Sequence, residues 1–150
     1  MATWSVPAIF AAICIAVHYS LMRAASGRLG DTLGALVLES TAAIGIALAF
    51  LFGIRGDPVP TTRNGLFFAA ASGLAISAAS ILLFVALRRG GAVASTGAIV
   101  LGGGVTLSAI AAPFLFGETW SMRRAVGILL GVAAIAVLSR DPAVNPVTPP

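Results

Sequence analysis

The chain consists of long apolar stretches separated by short polar connections. Five of these stretches have about the length of a membrane-crossing helix, and they run over Trp4–Met22, Leu33–Phe52, Leu66–Leu87, Ala92–Phe116 and Trp120–Ser139. A bilayer core about 30 Å thick needs roughly 20 residues of helix. The pattern therefore predicts five transmembrane helices in an all-α, polytopic membrane bundle.

The fifth stretch has the shortest strictly apolar part, from Ala125 to Leu138. Arg123 and Arg124 at its start can extend their guanidinium groups to the interface and lengthen the span, so we count it. The connections are too short to hold an extramembrane domain. We predict one five-helix domain over residues 1–140 and a proline-rich, disordered tail over residues 141–150.

Composition strengthens this interpretation. The chain is 59% hydrophobic and 9% charged, whereas soluble domains carry roughly 25% charged residues. The first stretch has no positively charged segment before it and exceeds the hydrophobic region of about 7–15 residues in a signal peptide, so we expect it to be retained. The single Cys14 excludes an internal disulfide.

The arginines lie in the connections, where they suit lipid headgroups and topology rather than nucleic acid. Five spans place four of them on the N-terminal side and five on the opposite side: Arg55, Arg63, Arg123 and Arg124 against Arg23, Arg28, Arg88, Arg89 and Arg140. Because arginine and lysine asymmetry sets orientation, this balance favours insertion in both orientations. Orientation fixed by other features stays open.

Glu39 is the main candidate for chemistry, because it lies inside the second apolar stretch. An ionisable side chain at that depth costs on the order of 2–4 kcal/mol and by default indicates a functional site. Removal from water favours the protonated carboxylic acid, so Glu39 is a candidate proton carrier or a counter-charge for a cationic substrate. The alternative is a structural glutamate that is simply protonated, or that is hydrogen-bonded to Ser40, Thr41 or a neighbouring helix.

Other polar and small residues could form a substrate or ion pathway together with Glu39. His18 ends the first span and could relay protons, although it also suits the membrane interface. Ser77 lies with Ala69, Gly73 and Ser80 on one face of the third span. Such a face either packs closely against another helix or lines a polar cavity.

The fourth span contains three consecutive glycines, Gly102, Gly103 and Gly104, and then Pro113. These residues weaken a regular helix, and interrupted spans in transporters lie at substrate sites or hinges. Close packing alone is the alternative. Gly127 and Gly131 form a GxxxG pair, a spacing used at helix–helix contacts.

Enzymatic and metal chemistry find little support. The single histidine, His18, lies beside a predicted membrane interface, where no Ser/His/Asp arrangement can be assembled around it, and no cluster has metal-ligand spacing. We therefore expect no enzyme, cofactor or metal.

From about residue 66 onward the chain resembles the EamA-type repeat of the drug/metabolite transporter superfamily. The resembling segments are Ala86-Leu-Arg-Arg-Gly-Gly-Ala-Val-Ala-Ser-Thr, the glycine span, Phe116-Gly117-Glu118, and Met122-Arg-Arg-Ala-Val-Gly127-Ile-Leu-Leu-Gly131-Val. In that family a Gly-Glu pair ends the fourth span and a glycine-rich fifth span follows. The five-span count agrees with one such repeat.

The resemblance implies a half-size transporter, since full-length members carry two repeats of opposite orientation around a pathway. An antiparallel homodimer, or pairing with a related half, would complete it. The chain is also similar to the small multidrug-resistance exporters, but their essential glutamate lies in the first span, where this chain has no carboxylate. Their aromatic residues before the glycines of the corresponding span are replaced here by Gly97 and Val100.

We therefore expect a multi-pass transporter subunit of the bacterial inner membrane that moves a small metabolite or drug-like solute by alternating access. Its partners would be the lipid bilayer, the solute and a second half-size subunit, with no nucleic acid. The alternatives are a non-transporting membrane partner or assembly subunit, and a component of a lipid-linked-sugar flippase.

Overall fold

The computed structural model describes residues 5–53, 60–140 and 142, and it is helical throughout, with no β-strand among these residues. The helices are α1 Ser5–Ala25, α2 Asp31–Leu51, α3 Arg63–Arg88, α4 Val93–Gly97, α5 Gly103–Phe116 and α6 Met122–Leu138. A π-helical turn, Ala98–Gly102, joins α4 to α5. The predicted all-α class is confirmed for this part of the chain.

Four helical segments are long and apolar enough to cross a membrane: α1, α2, α3 and the continuous segment Val93–Phe116. They correspond to the first four predicted spans and support a multi-pass membrane protein. The fifth predicted span is represented by α6, which has 17 residues. At 1.5 Å per residue α6 extends about 25 Å, somewhat less than a bilayer core of about 30 Å.

Glycines end two of these segments. Gly117 follows α5 with φ 64° and ψ 23°, and Gly90 follows α3 with φ 93°. This left-handed conformation is strained for residues with a Cβ atom, and glycine adopts it freely. Gly117 therefore terminates the fourth span at the Gly-Glu pair.

The chain divides into two compact units. The first comprises Met1–Ala24 and Ala86–Pro146, and the second comprises Ala25–Val85 and Val147–Pro150. The prediction of a single domain over residues 1–140 stays a prediction. Trp4, Arg55, Asp141 and residues 143–150, with most of the predicted disordered tail, lie outside the described residues.

In the first unit, α6 packs antiparallel against the fourth helical segment. A Cβ atom added to Gly131 would lie 2.9 Å from the Thr106 hydroxyl oxygen, and one added to Gly102 would lie 3.4 Å from the Ile135 side chain. Ile135 follows Gly131 by four residues in α6, and its neighbour Gly102 precedes Thr106 by four residues in the fourth helical segment. The two helices therefore run antiparallel, and these contacts fix their register. At another point of this unit, the Arg23 guanidinium of α1 donates a hydrogen bond to the carbonyl of Leu87.

In the second unit, α2 and α3 form an antiparallel hairpin. The aromatic ring of Phe84 lies so close to Gly34 that an added Cβ atom would be 2.9 Å from two ring carbons. The buried apolar side chains of this unit are Ala35, Leu83 and Phe84, all near the start of α2 and the end of α3. The contact between the two helices therefore concentrates at one end of the hairpin.

The other end of the hairpin is open. Every residue from 60 to 76 is exposed, as is every residue from 40 to 48. Large apolar side chains are exposed along both helices, with Leu74 76% and Ile46 71% accessible. Surface of this composition suits lipid tails or another membrane protein.

Candidate functional site

The second unit holds a polar pair inside apolar helices. Glu39 lies two residues before the middle of α2, a displacement of about 3 Å along the axis. The Ser80 hydroxyl of α3 donates a hydrogen bond to Glu39 Oε1 with an O···O distance of 2.6 Å. Ser80 is buried and Glu39 is half-buried. A hydrogen bond to a neighbouring helix was one of the structural alternatives for Glu39, and the structure contains such a bond.

The hairpin register explains why Ser80 is the partner. Gly34 of α2 contacts Phe84 of α3. Glu39 lies five residues after Gly34, and Ser80 lies four residues before Phe84. Because the two helices are antiparallel, Glu39 and Ser80 are neighbours across the hairpin. Ser77 lies nearly one turn away, and its hydroxyl donates to the carbonyl of Gly73 in its own helix at 3.0 Å. The predicted small-residue face of α3 therefore supplies the carboxylate's partner through Ser80.

Ser77 and Gly73 lie at the edge of the open end of the hairpin. Ser77 is half-buried, whereas Gly73 is exposed. A Cβ atom added to Gly73 would meet no neighbouring group of the described residues within 4 Å. Within this hairpin, space around Gly73 remains for a further molecule.

His18 belongs to the first unit, whereas Glu39 belongs to the second. The His18 imidazole is half-buried and packs edge-on against the Tyr19 ring, with centroids 5.6 Å apart and planes at 86°. Tyr19 is buried and faces Gly97, where an added Cβ atom would lie 3.7 Å from its ring. This packing fixes the end of α1.

The glycine run of the fourth span coincides with a departure from α-helical geometry. The π-helical turn ends at Gly102, and Gly103 and Gly104 begin α5. Added Cβ atoms at Gly103 and Gly104 would meet no group of the described residues within 4 Å. π-Turns inside α-helices occur frequently at functional sites.

Pro113 and the GxxxG pair lie on either side of the α5–α6 contact. Pro113 is inside α5, where its ring nitrogen cannot donate to the carbonyl one turn back. Gly131 faces Thr106 at close range, whereas a Cβ atom at Gly127 would meet no group of the described residues within 4 Å. One member of the pair packs within this unit, and the other is open.

An ion pair and a helix N-cap stabilise the turn between α5 and α6. Glu118 forms an ion pair with Arg124 near the start of α6. The Ser121 hydroxyl accepts a hydrogen bond from the Arg124 amide at 3.2 Å and caps α6. Glu118 thus has a structural role at a helix end.

The described residues contain no candidate metal-binding site. Among the described residues, no three histidine, cysteine, aspartate or glutamate side chains are grouped closely enough to hold an ion. Cys14 is an exposed free thiol on α1.

Comparison with protein-family models, curated proteins and solved structures found no match to the chain. The EamA-type resemblance of the sequence motifs therefore stays a prediction.

Two features of the site go beyond the sequence prediction. Ser80, rather than Ser77, bonds the carboxylate, and the signal that could have separated them is the helix register set by Gly34 and Phe84. The π-helical turn was not predicted as such. The three glycines that begin at its last residue were the sequence signal for an irregular helix at this place.

Proposed function

We propose that the chain is a subunit of an integral membrane transporter of the EamA type, located in the bacterial inner membrane. It would move a small metabolite or drug-like solute by alternating access, as an antiparallel dimer of two five-span repeats. The observation that carries this proposal is the Glu39–Ser80 pair, a carboxylate and its hydroxyl donor inside two apolar helices.

The energetic cost of this pair supports a functional role. An acidic side chain in a bilayer costs on the order of 2–4 kcal/mol, and a hydrogen bond between membrane helices contributes on average about 0.6 kcal/mol in return. A leucine at this position would serve the hairpin better. A carboxylate retained at such a cost suits proton coupling or the neutralisation of a substrate charge.

The fourth helical segment supports the alternating-access part of the proposal. Its π-helical turn and the adjoining Gly103 and Gly104 combine weakened α-helical bonding with small side chains. Interrupted helices of this kind lie at the moving or substrate-binding elements of transporters. We assign the flexible element to this segment.

The open end of the α2–α3 hairpin supports dimerisation. Residues 60–76 are exposed, and they include small side chains at Ala69, Ser72 and Gly73. Small residues allow close helix approach in membranes, and the balanced arginine distribution would let two copies insert in opposite orientations. In that dimer α6 completes each repeat as a short fifth span, with Arg123 and Arg124 reaching the interface.

The test is flux through proteoliposomes that contain the purified chain and a pH-sensitive dye. A panel of charged and neutral solutes is added on one side, and solute-dependent proton movement is recorded. We expect coupled flux with the wild-type chain and its loss with Glu39→Gln, which keeps an acceptor for Ser80 but cannot ionise. Glu118→Gln is the matched control, because it makes the same change at a helix end and should leave flux intact.

Retained coupling in Glu39→Gln would remove Glu39 from the mechanism. Absence of flux for every solute with the wild-type chain would favour the second candidate, a non-transporting membrane partner. The open surroundings of Gly73 and Gly127 suit that role as well, since both positions could pack against a different membrane protein.

A further inference from the structure

The first unit contains a cavity of about 330 Å³, and all of its described lining residues belong to that unit. It lies where α3 ends, α4 begins and α6 ends. Its polar lining comes from Arg89, Gly90 and Gly91 of the connection, from Ser95 and Thr96 of α4, and from Ser139 after α6. None of the described lining residues is acidic, so these residues present hydrogen-bond donors and positive charge.

Thr96 is the first sign that the cavity takes a polar ligand. The residue is only 6% exposed and lines the cavity. A threonine hydroxyl can donate a hydrogen bond to an anionic oxygen. A ligand oxygen in the cavity would therefore find a donor in Thr96.

Arg89 is the second sign. Its side chain is exposed at the cavity, and it forms no hydrogen bond or ion pair with residues 5–53, 60–140 or 142. A guanidinium group presents several donors in one plane and suits bidentate binding of carboxylate or phosphate. Within the described residues, this guanidinium group is therefore available to a ligand.

The position in the membrane selects the anion. Arg88 ends α3, and Ser139 follows the last residue of α6, so the cavity lies where spanning segments meet the headgroup layer. Phosphate is the anionic group of that layer, and basic residues at this level bind it. Arg88 and Arg140, next in sequence to lining residues, add positive charge.

We propose that this cavity binds a phosphate group, either the headgroup phosphodiester of an anionic lipid or free phosphate. Arg89 binds two phosphate oxygens, and the Thr96 hydroxyl donates to one of them. Ser139, whose hydroxyl otherwise makes a long 3.3 Å bond to the carbonyl of Ala136, turns to a further oxygen. This site requires the chain to lie in a membrane and is independent of whether it transports a solute.

Gly91 shapes the cavity. A Cβ atom added there would lie 2.5 Å from the Thr96 hydroxyl oxygen and 2.9 Å from the carbonyl oxygen of Ala86. Glycine therefore permits the close approach of the connection to α4 that places Thr96 in the lining.

The test is calorimetric titration of the full chain in non-ionic maltoside micelles at fixed ionic strength. The probes are dihexanoyl phosphatidylglycerol, inorganic phosphate and dihexanoylglycerol, which has the acyl chains without phosphate. We expect phosphatidylglycerol to bind and dihexanoylglycerol not to bind. Arg89→Gln should weaken binding about tenfold or more, and Thr96→Val roughly threefold, as expected for a charge-assisted and a neutral hydrogen bond.

Two variants serve as controls. Thr96→Ser keeps the hydroxyl and should bind within about twofold of wild type, while Arg123→Gln removes one arginine at the opposite end of α6 and should have no effect beyond that range. Competition by inorganic phosphate would identify free phosphate as a ligand, and binding of the lipid without such competition would identify the headgroup. Equal losses in Arg89→Gln and Arg123→Gln would overturn the proposal in favour of diffuse charge, as would a wild-type chain that binds neither phosphate probe.

Discussion

Replacing Glu39 with leucine should stabilise the fold while it abolishes function. The substitution removes an acidic group whose presence in the membrane costs on the order of 2–4 kcal/mol, and it forfeits the 2.6 Å bond from Ser80, worth roughly 1 kcal/mol. The net expectation is a gain of about 1–3 kcal/mol in the free energy of unfolding. Ser80→Ala should instead destabilise the chain by about 1–2 kcal/mol, because the carboxylate loses its donor.

The coupling between the two residues can be isolated by a double-mutant cycle. In the Glu39→Leu background, Ser80→Ala should change stability by less than about 0.5 kcal/mol, because the serine hydroxyl there can bond a carbonyl of its own helix. Ser77 already does so with Gly73. The resulting coupling energy should be about 0.6–1.7 kcal/mol, which are the average and the maximum found for hydrogen bonds between membrane helices.

The assay is reversible unfolding of the four proteins in mixed micelles of increasing dodecyl sulfate fraction, followed by far-ultraviolet circular dichroism. Glu39→Gln is the control, since it keeps an acceptor and should behave close to wild type. A loss of stability in Glu39→Leu would refute the reasoning, because it would make the carboxylate a structural element. Additive effects of the two substitutions would show that the pair is not in contact in the micelle.

Two further expectations concern packing and topology. Gly131→Ala should lower stability by about 1–3 kcal/mol relative to Gly127→Ala in the same unfolding assay, because only the Cβ atom added at Gly131 would meet a hydroxyl oxygen, at 2.9 Å. Equal stabilities of the two variants would refute the α5–α6 contact. Tags on both termini should each react with an impermeant reagent on both sides of the membrane if the chain inserts in two orientations, and labelling from one side only would exclude the antiparallel homodimer.

The helices could be predicted from the sequence because apolar length is a local signal. The second and fourth predicted spans agree with the helical segments Asp31–Leu51 and Val93–Phe116 to within a few residues. The fifth was overextended at its start, since Ser121 caps α6 and the helix begins at Met122. A capping serine before two arginines marks that boundary more precisely than hydropathy does.

The identity of the carboxylate's partner could not be predicted in the same way. Helical spacing places Ser77 and Ser80 on one face of α3, and both satisfy any local rule. The choice depends on the register between two helices, which is set by the approach of Phe84 to Gly34. Such a contact joins positions fifty residues apart in sequence, and no pattern within a single span encodes it.

The π-helical turn has a consequence for changes in chain length. A π-turn accommodates one residue more than the α-helix around it, and each residue of an α-helix advances by about 100° and 1.5 Å. Deleting one residue from Ala98–Gly102 would let α4 and α5 join as one regular helix. Because the deleted residue is the additional one, α4 and α5 would present nearly the same faces to α6 as before, and Gly131 would still face Thr106. A deletion in the regular part of α5 would instead rotate the two flanking faces relative to each other by about 100°. The π-turn is therefore the place in this span where the loss of one residue disturbs helix packing least.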